Sequence, residues 1–146
     1  MEVIDNTLGL IRDAFVFENI DIQLSVRSDI MILECKNEFS QVLLNLFNNA
    51  KDALMESPIE SKVLIIKAEE EKEYLIITIS DNAGGIPEHI IHKVFDPYFT
   101  TKEEGKGTGI GLFMAKRIIE EKMQGKLSVT NSNAGACFTI KLEKIF

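Results

Sequence analysis

The 146-residue sequence predicts an α/β fold, a two-layer sandwich in which a mixed, mostly antiparallel sheet of about five strands packs on three helices. Three observations carry that expectation. Apolar residues recur at helical spacing in three separate segments. Between those segments lie short runs with the period-two alternation of half-buried strands. Most of these runs follow one another through short turns, so hairpin connections dominate.

Taken in order, Ile4, Leu8, Ile11 and Phe15 are spaced by four, three and four, which predicts an opening helix within residues 1–17. Ile20 to Val26 alternates cleanly and reads as a strand, and Ile30 to Leu33 as a short partner strand. From Asn37 to Met55 the set Phe39, Val42, Leu43, Leu46, Phe47, Ala50, Ala53 and Leu54 follows a helical period, and Ser57-Pro58 ends it. Lys62 to Glu69 and Glu73 to Ser80 predict a hairpin around the acidic turn Glu70-Glu71-Lys72. Pro87 is a favoured first-turn residue and predicts a short helix. A long loop then leads to a helix from Gly109, with Leu112, Ala115, Ile118 and Ile119 on one face. Lys126 to Thr130 and Ala136 to Leu142 supply two last strands.

Composition narrows the function. Hydrophobic residues make up 45% and charged residues 27%, and a chain of this length forms one domain that buries roughly 70% of its unfolded surface. A net charge of −7 argues against nucleic acid as a partner, because backbone binding needs clustered Lys and Arg. No apolar run approaches the roughly 20 residues of a membrane helix, and Met1-Glu2-Val3-Ile4-Asp5 is acidic where a signal peptide is basic. Cys35 and Cys137 lack metal-site or redox spacing and read as two reduced, packed thiols, so the expected location is cytoplasmic.

Chemistry concentrates in Gly105-Lys106-Gly107-Thr108-Gly109-Ile110-Gly111-Leu112. Four glycines at alternate positions expose backbone N–H groups at the start of a helix, where its positive end favours anions. The run is a phosphate cradle, although neither the P-loop nor the dinucleotide-binding spacing fits it. Asn45, Asn48 and Asn49 crowd the preceding long helix, where each asparagine costs about half a kcal/mol or more against alanine. Asn45 and Asn49 are four apart and share a face opposite the apolar stripe, presenting amide oxygens of the kind Mg²⁺ accepts beside phosphate. Asp81 ends a buried strand and is followed by Asn82-Ala83-Gly84-Gly85-Ile86. A carboxylate there can accept from an exocyclic amine while glycines let a flat ring approach, and the same residues also suit an ordinary turn. Lys102 and Lys106, with Thr100, Thr101 and Thr108, bracket a loop able to close over a triphosphate, with Phe95, Tyr98 and Phe99 as its apolar hinge.

These motifs, in this order, resemble the ATP-binding catalytic domain of sensor histidine kinases, in the group shared with gyrase, Hsp90-type chaperones and MutL. Asn45 to Asn49 resembles the N box, Asp81 to Ile86 the first glycine box, Phe95 to Lys102 the F box and Gly105 to Leu112 the second glycine box. The resemblance runs from about Asp21 to the end and implies a Bergerat-type fold with ATP and Mg²⁺ as cofactors. It implies that Asn49, supported by Asn45, binds Mg²⁺ and the phosphates, and that Asp81 reads the adenine amino group with Ala83, Gly85 and Ile86 beside the base. Tyr98, Thr101, Lys102, Gly105, Lys106, Gly107, Thr108, Gly109, Ile110, Gly111 and Leu112 belong, on the same resemblance, to the lid and cradle. Thr139 supports the Asp81 side through water. Asn45, Asn49 and Lys102 are the implied catalytic residues.

Departures carry information. Ala83 replaces the first glycine of its box, and Asp52 stands where many of these kinases carry a phosphate-facing lysine. Gyrase-type ATPases and the protein-serine kinases of the group place a glutamate base where this chain has Asn45, and an amide takes no proton at neutral pH. That disfavours hydrolysis, a chaperone-like clamp and a stand-alone serine kinase of the anti-sigma type. The intact Asn49, Asp81 and Gly109-Gly111 set weighs against a non-catalytic nucleotide-binding signalling domain. The only histidines, His89 and His92, lack an acidic phosphoacceptor context. The expectation is therefore a single, monomeric catalytic domain over residues 1–146 that donates the γ-phosphoryl group to a histidine on a separate dimerisation domain, with a response regulator downstream. The parent kinase is allowed a membrane anchor, and the helix over 1–17 is expected to join or dock that missing domain.

Overall fold

A computed structural model describes residues 2–27, 36–99, 110–132 and 134–143. The sheet contains β1 (Ile20–Arg27), β2 (Lys62–Glu71), β3 (Tyr74–Asp81), β4 (Lys126–Asn131) and β5 (Ala136–Glu143), in the order β1-β2-β3-β5-β4. β1 runs parallel to β2 and every other neighbouring pair is antiparallel. Helices α1 (Glu2–Phe17), α2 (Lys36–Glu56) and α3 (Gly111–Arg117) form the second layer, and α3 continues as a π-helical turn over Ile118–Lys122. A parallel pair cannot be joined by a tight turn, and α2 is the crossover between β1 and β2. The predicted strand Ile30 to Leu33 and Cys35 lie outside the described residues.

Periodicity explains the core. On α2, Phe39, Val42, Leu43, Leu46, Phe47, Ala50 and Leu54 are buried as expected. On the sheet, Leu75, Ile77 and Ile79 of β3 face Leu142, Ile140 and Phe138 of β5 across the inner surface. Alternation then places Asp81 at the next inner position, where it is only 7% exposed. Thr78, Thr139 and Ser128 sit abreast on the outer surface. The apolar stripe of α1 belongs to this domain's own core: Ile4, Leu8 and Phe15 are buried and Ile11 packs against them. Thr7 adds a hydroxyl contact of 2.8 Å to Ser40 on α2. Leu10, Val16 and Phe17 are the large apolar residues that α1 leaves exposed.

Three local expectations are corrected. The β2–β3 turn is Lys72-Glu73, with Lys72 at φ 56°, because β2 extends through Glu71. After Pro87 the chain forms turns and a single 3₁₀ turn, Ile91–Lys93; Pro87 O accepts from Ile90 and Ile91, but the pattern does not propagate into an α-helix. The third helix starts at Gly111, two residues later than expected. Among the described residues no helix is long and apolar enough to cross a membrane. Cys137 is a half-buried free thiol.

Candidate functional site

The base end of the site is built where β3 runs out. Asp81 Oδ1 accepts from the Ala83 N–H at 3.0 Å and from the Ala136 N–H at 3.4 Å. Among the described residues both hydrogen bonds to this carboxylate fall on Oδ1, and Oδ2 takes none. Burial raises the Asp81 pKa above the ordinary carboxylate value, and the Ala83 and Ala136 amides work against that rise. The result is a fixed acceptor with weakened solvation, suited to an amine donor.

The loop after Asp81 is held by the β4–β5 turn. Asn131 Oδ1 accepts from the Ile86 N–H at 2.8 Å, and its Nδ2 donates to Ile86 O at 2.8 Å, so one side chain grips both polar groups of one residue. Gly84 and Gly85 have φ of 100° and 88°, a region that L side chains rarely adopt. At Gly85 a Cβ would also lie 2.8 Å from Asn131 Oδ1. Gly84 N–H donates to Ala134 O at 3.0 Å. Gly135 is the tightest point, since a Cβ there would stand 2.1 Å from Asp81 O and 2.6 Å from Asp81 Oδ1.

Asn131 and Gly135 were not legible as site residues in the sequence; an Asn followed four residues later by Gly between two strands signals only a turn. Thr139 is displaced from its expected role. It lies on the outer surface of the sheet, whereas Asp81 faces the helices, and Ala136 meets the carboxylate instead, through its backbone N–H.

The other end of the site forms where α2 crosses α3. Asn45 Nδ2 donates to Gly111 O at 3.2 Å, which fixes the orientation of the amide, because a carbonyl needs a donor. Its Oδ1 accepts from Gln41 Nε2 at 3.1 Å. The polar face of α2 is therefore not open at Asn45; the first residue of α3 covers it. Asn49 and Asp52 are half-buried further along α2, and Asn48 is exposed. α3 begins at Gly111, and the side chain of Ile110 before it makes no capping hydrogen bond. Thr101, Lys102, Gly105, Lys106, Gly107, Thr108 and Gly109 lie outside the described residues, as does Thr100.

Of the expected hinge, Phe95 is half-buried and packs edge-on against Phe138 of β5 (centroids 6.0 Å apart, planes at 84°). Tyr98 does not join it: at φ 63° it turns outward and is 76% exposed. Leu112 packs against the core. His89 and His92 are both exposed, and no group of three His, Cys, Asp or Glu side chains able to hold a metal exists among the described residues. A cation here needs ligand oxygens to complete its shell, which fits the neutral amides of α2.

Comparison with known proteins agrees with this geometry. Residues 35–145 match the family described as histidine kinase-, DNA gyrase B-, and HSP90-like ATPase. The chain is 32% identical over 142 residues to the two-component sensor PprA of Pseudomonas aeruginosa, covering 94% of this chain but 15% of that protein. It thus spans a small part of the length of that curated relative. The nucleotide-free catalytic domain of histidine kinase ThkA superposes with a TM-score of 0.85 at 29% identity, covering 98% of this chain and 91% of that one. ThkA in complex with the response regulator protein TrrA superposes at 0.80 and 26% identity, with 99% of this chain and 40% of that one covered. With fold, buried carboxylate and sequence in accord, the chain belongs to the histidine kinase-, DNA gyrase B- and HSP90-like ATPase family.

Proposed function

We propose that this domain binds Mg·ATP and donates the γ-phosphoryl group to a histidine on a separate dimerisation domain, from which a response regulator receives it. The observation that carries the reading is the desolvated Asp81 carboxylate, held through Oδ1, at the end of a buried strand and beside a loop kept free of side chains at Gly84 and Gly85. Asp81 accepts from the adenine amino group, Gly84 in the 83–86 loop leaves open space for the ring, and Gly135 lets the backbone of the β4–β5 turn close on Asp81. A bound Mg²⁺ neutralises the phosphate oxygens. Asn49 is its better ligand, because Asn45 already donates to Gly111 O and accepts from Gln41. Lys102 and the cradle glycines from Gly105 to Gly109 are assigned to the phosphates on the motif alone. Chemically, the bond from the γ-phosphorus to the bridging oxygen breaks as one to an imidazole nitrogen forms, and ADP leaves.

The same Asn45 bond favours transfer to a partner over hydrolysis within the chain. A carboxylate cannot donate to a carbonyl, so a glutamate base at this position would forfeit the link between α2 and α3. Asn45 positions α3 and activates no water.

The decisive experiment is calorimetric titration of ATP into the chain with and without Mg²⁺, repeated on Asp81→Asn. Binding strengthened by Mg²⁺ and weakened at least about ten-fold by the substitution is expected, since a hydrogen bond to a charged acceptor contributes about 1.5–3 kcal/mol. Absence of binding in folded wild-type protein would overturn the reading. The isolated chain, whose two histidines are exposed on the 88–93 segment, is expected to form no acid-labile phosphohistidine; supplied with a dimerisation domain, it is expected to label that domain instead.

A further inference from the structure

The 82–86 loop passes from the end of β3 to the end of β4, and its two ends are held by different strands. At its start, Asn82 Oδ1 accepts from the Val63 N–H at 2.9 Å and Asn82 Nδ2 donates to Ser61 O at 2.7 Å, so this side chain prolongs the β2–β3 ladder. Beyond Gly84 the hold comes from β4, two places away from β3 in the sheet. Among the described residues, the hydrogen bonds that reach the Ile86 backbone from elsewhere in the fold both come from Asn131, the last residue of β4. Asn131 Nδ2 also donates to Glu88 Oε1 at 3.3 Å. Between these anchors lie Gly84 and Gly85, at φ 100° and 88°. Glycine has the widest choice of backbone conformations, so two in succession keep one conformation only while both neighbours are fixed. That conformation has a consequence for the site. A Cβ at Gly84 would meet nothing within 4 Å, whereas one at Gly85 would point into Asn131 Oδ1. The loop thus leaves uncovered space at Gly84 and turns Gly85 against the side chain that clamps it.

We propose that Asn131 is a positioning residue for the base end of the nucleotide site: by fixing the peptide groups on either side of Ile86, it holds Gly84 and Gly85 in the conformation that leaves space for a flat ring beside Asp81. The proposal rests on the Mg·ATP reading above. Removing the amide does not displace Ile86, whose side chain packs against the core, nor Asp81, whose bonds to Ala83 and Ala136 are independent of it. What it removes is restraint on the peptide groups. The glycine pair then exchanges among conformers of which only a fraction accepts the ring, and apparent affinity falls by that fraction. Loss of two solvent-exposed hydrogen bonds sets the scale of the fall at about five-fold.

The test uses wild type, Asn131→Ala and Asn131→Asp, titrated with adenosine and with Mg·ATP and followed by two-dimensional NMR, which reads folding and weak binding together. Asn131→Ala is expected to weaken adenosine and Mg·ATP alike, each about five-fold. Asn131→Asp keeps the shape of the side chain, but a carboxylate cannot donate to Ile86 O and would face Glu88, so it is expected to lose at least as much. In both variants the amide signals of Gly84, Gly85 and Ile86 are expected to shift or broaden without ligand. At saturating adenosine they are expected to return to the positions of the wild-type complex, a recovery that a merely structural lesion would not show. Unchanged adenosine affinity in folded Asn131→Ala overturns the proposal, as does wild-type affinity in Asn131→Asp or a loss confined to Mg·ATP. Should Asn131→Ala fail to fold, Asn131→Asp carries the same test. Wild-type protein that binds neither ligand overturns the nucleotide reading itself and this proposal with it.

Discussion

Replacing Gly135 by alanine tests the base pocket through space alone. The added methyl carbon would stand 2.1 Å from the Asp81 carbonyl oxygen, 2.7 Å from its carbonyl carbon and 2.6 Å from Oδ1. A normal contact is above 3 Å, and two of the three atoms are backbone, so the end of β3 and the start of β5 must separate by about 1 Å. Overpacking of this kind costs about 1–3 kcal/mol. The separation also breaks the 3.4 Å bond from Ala136 N–H to Asp81 Oδ1, a further contribution of about 0.5–1.5 kcal/mol. For a domain of this size a total of about 2–4 kcal/mol lowers Tm by roughly 7–14 °C. Differential scanning calorimetry measures the loss, and ATP titration of the folded fraction measures the displacement of Asp81. Gly84→Ala is the control. Its methyl would enter open space, so only the strain of φ 100° remains, about 1–3 kcal/mol, and Asp81 stays in place. Gly135→Ala with Tm within about 2 °C of wild type and unchanged ATP affinity would refute the claim that this contact shapes the pocket.

Asp81→Asn is expected to separate stability from function. Burial raises the native pKa of Asp81 above its unfolded value, so between those two values the folded chain holds more protons than the unfolded one. Through that window stability falls as pH rises, and above it the buried charge is a constant penalty. The asparagine variant, whose Oδ1 still accepts from Ala83 and Ala136, is therefore expected to melt no lower than wild type at pH 7. Its advantage should shrink as pH falls toward the ordinary carboxylate value of 3.8, and a wild type that gains relative stability with rising pH across that window would contradict the assignment. Asn45→Asp should lose the donor to Gly111 O and set a carboxylate against that carbonyl, at a cost of about 1–3 kcal/mol, with weaker Mg·ATP binding. Calorimetric melting and nucleotide titration check both effects, and an unaltered melting curve would show that the amide does not hold α3.

Much of this was legible from periodicity. The stripe on α2 and the alternation of β3 required only the spacing of apolar residues, and extending the β3 alternation by one step places Asp81 among the core-facing side chains. What stayed hidden depends on contacts remote in sequence. Nothing local distinguishes Gly135 from any turn glycine until β5 is laid against β3 and the Asp81 carbonyl fills the space of its missing side chain. Asn131 is 45 residues from Ile86, and only the closed sheet brings its amide against that backbone. Thr139 was implied by the family resemblance, and strand parity puts it on the opposite surface. The apolar stripe of α1 was legible from its spacing, but periodicity reveals which side of a helix is buried and not what buries it; here it is this domain's own core.

The two ends of the site are built on different principles, and the difference bears on how such a domain works. At the base end, Asp81 is linked to the Ala83 and Ala136 amides and Asn131 to both backbone groups of Ile86, beside Gly85 and Gly135, where a side chain would collide. A pocket made this way is preorganised, and preorganisation favours affinity by leaving little to order on binding. At the other end α3 hangs between an amide on α2 and a half-exposed ion pair at the sheet edge, links that each contribute modestly. On the proposed reading, a preorganised base pocket of this kind would retain ATP while its terminal phosphoryl group is offered to an acceptor on another domain. On the same reading, an amide at position 45 activates no water, and transfer requires a partner that brings its own nucleophile.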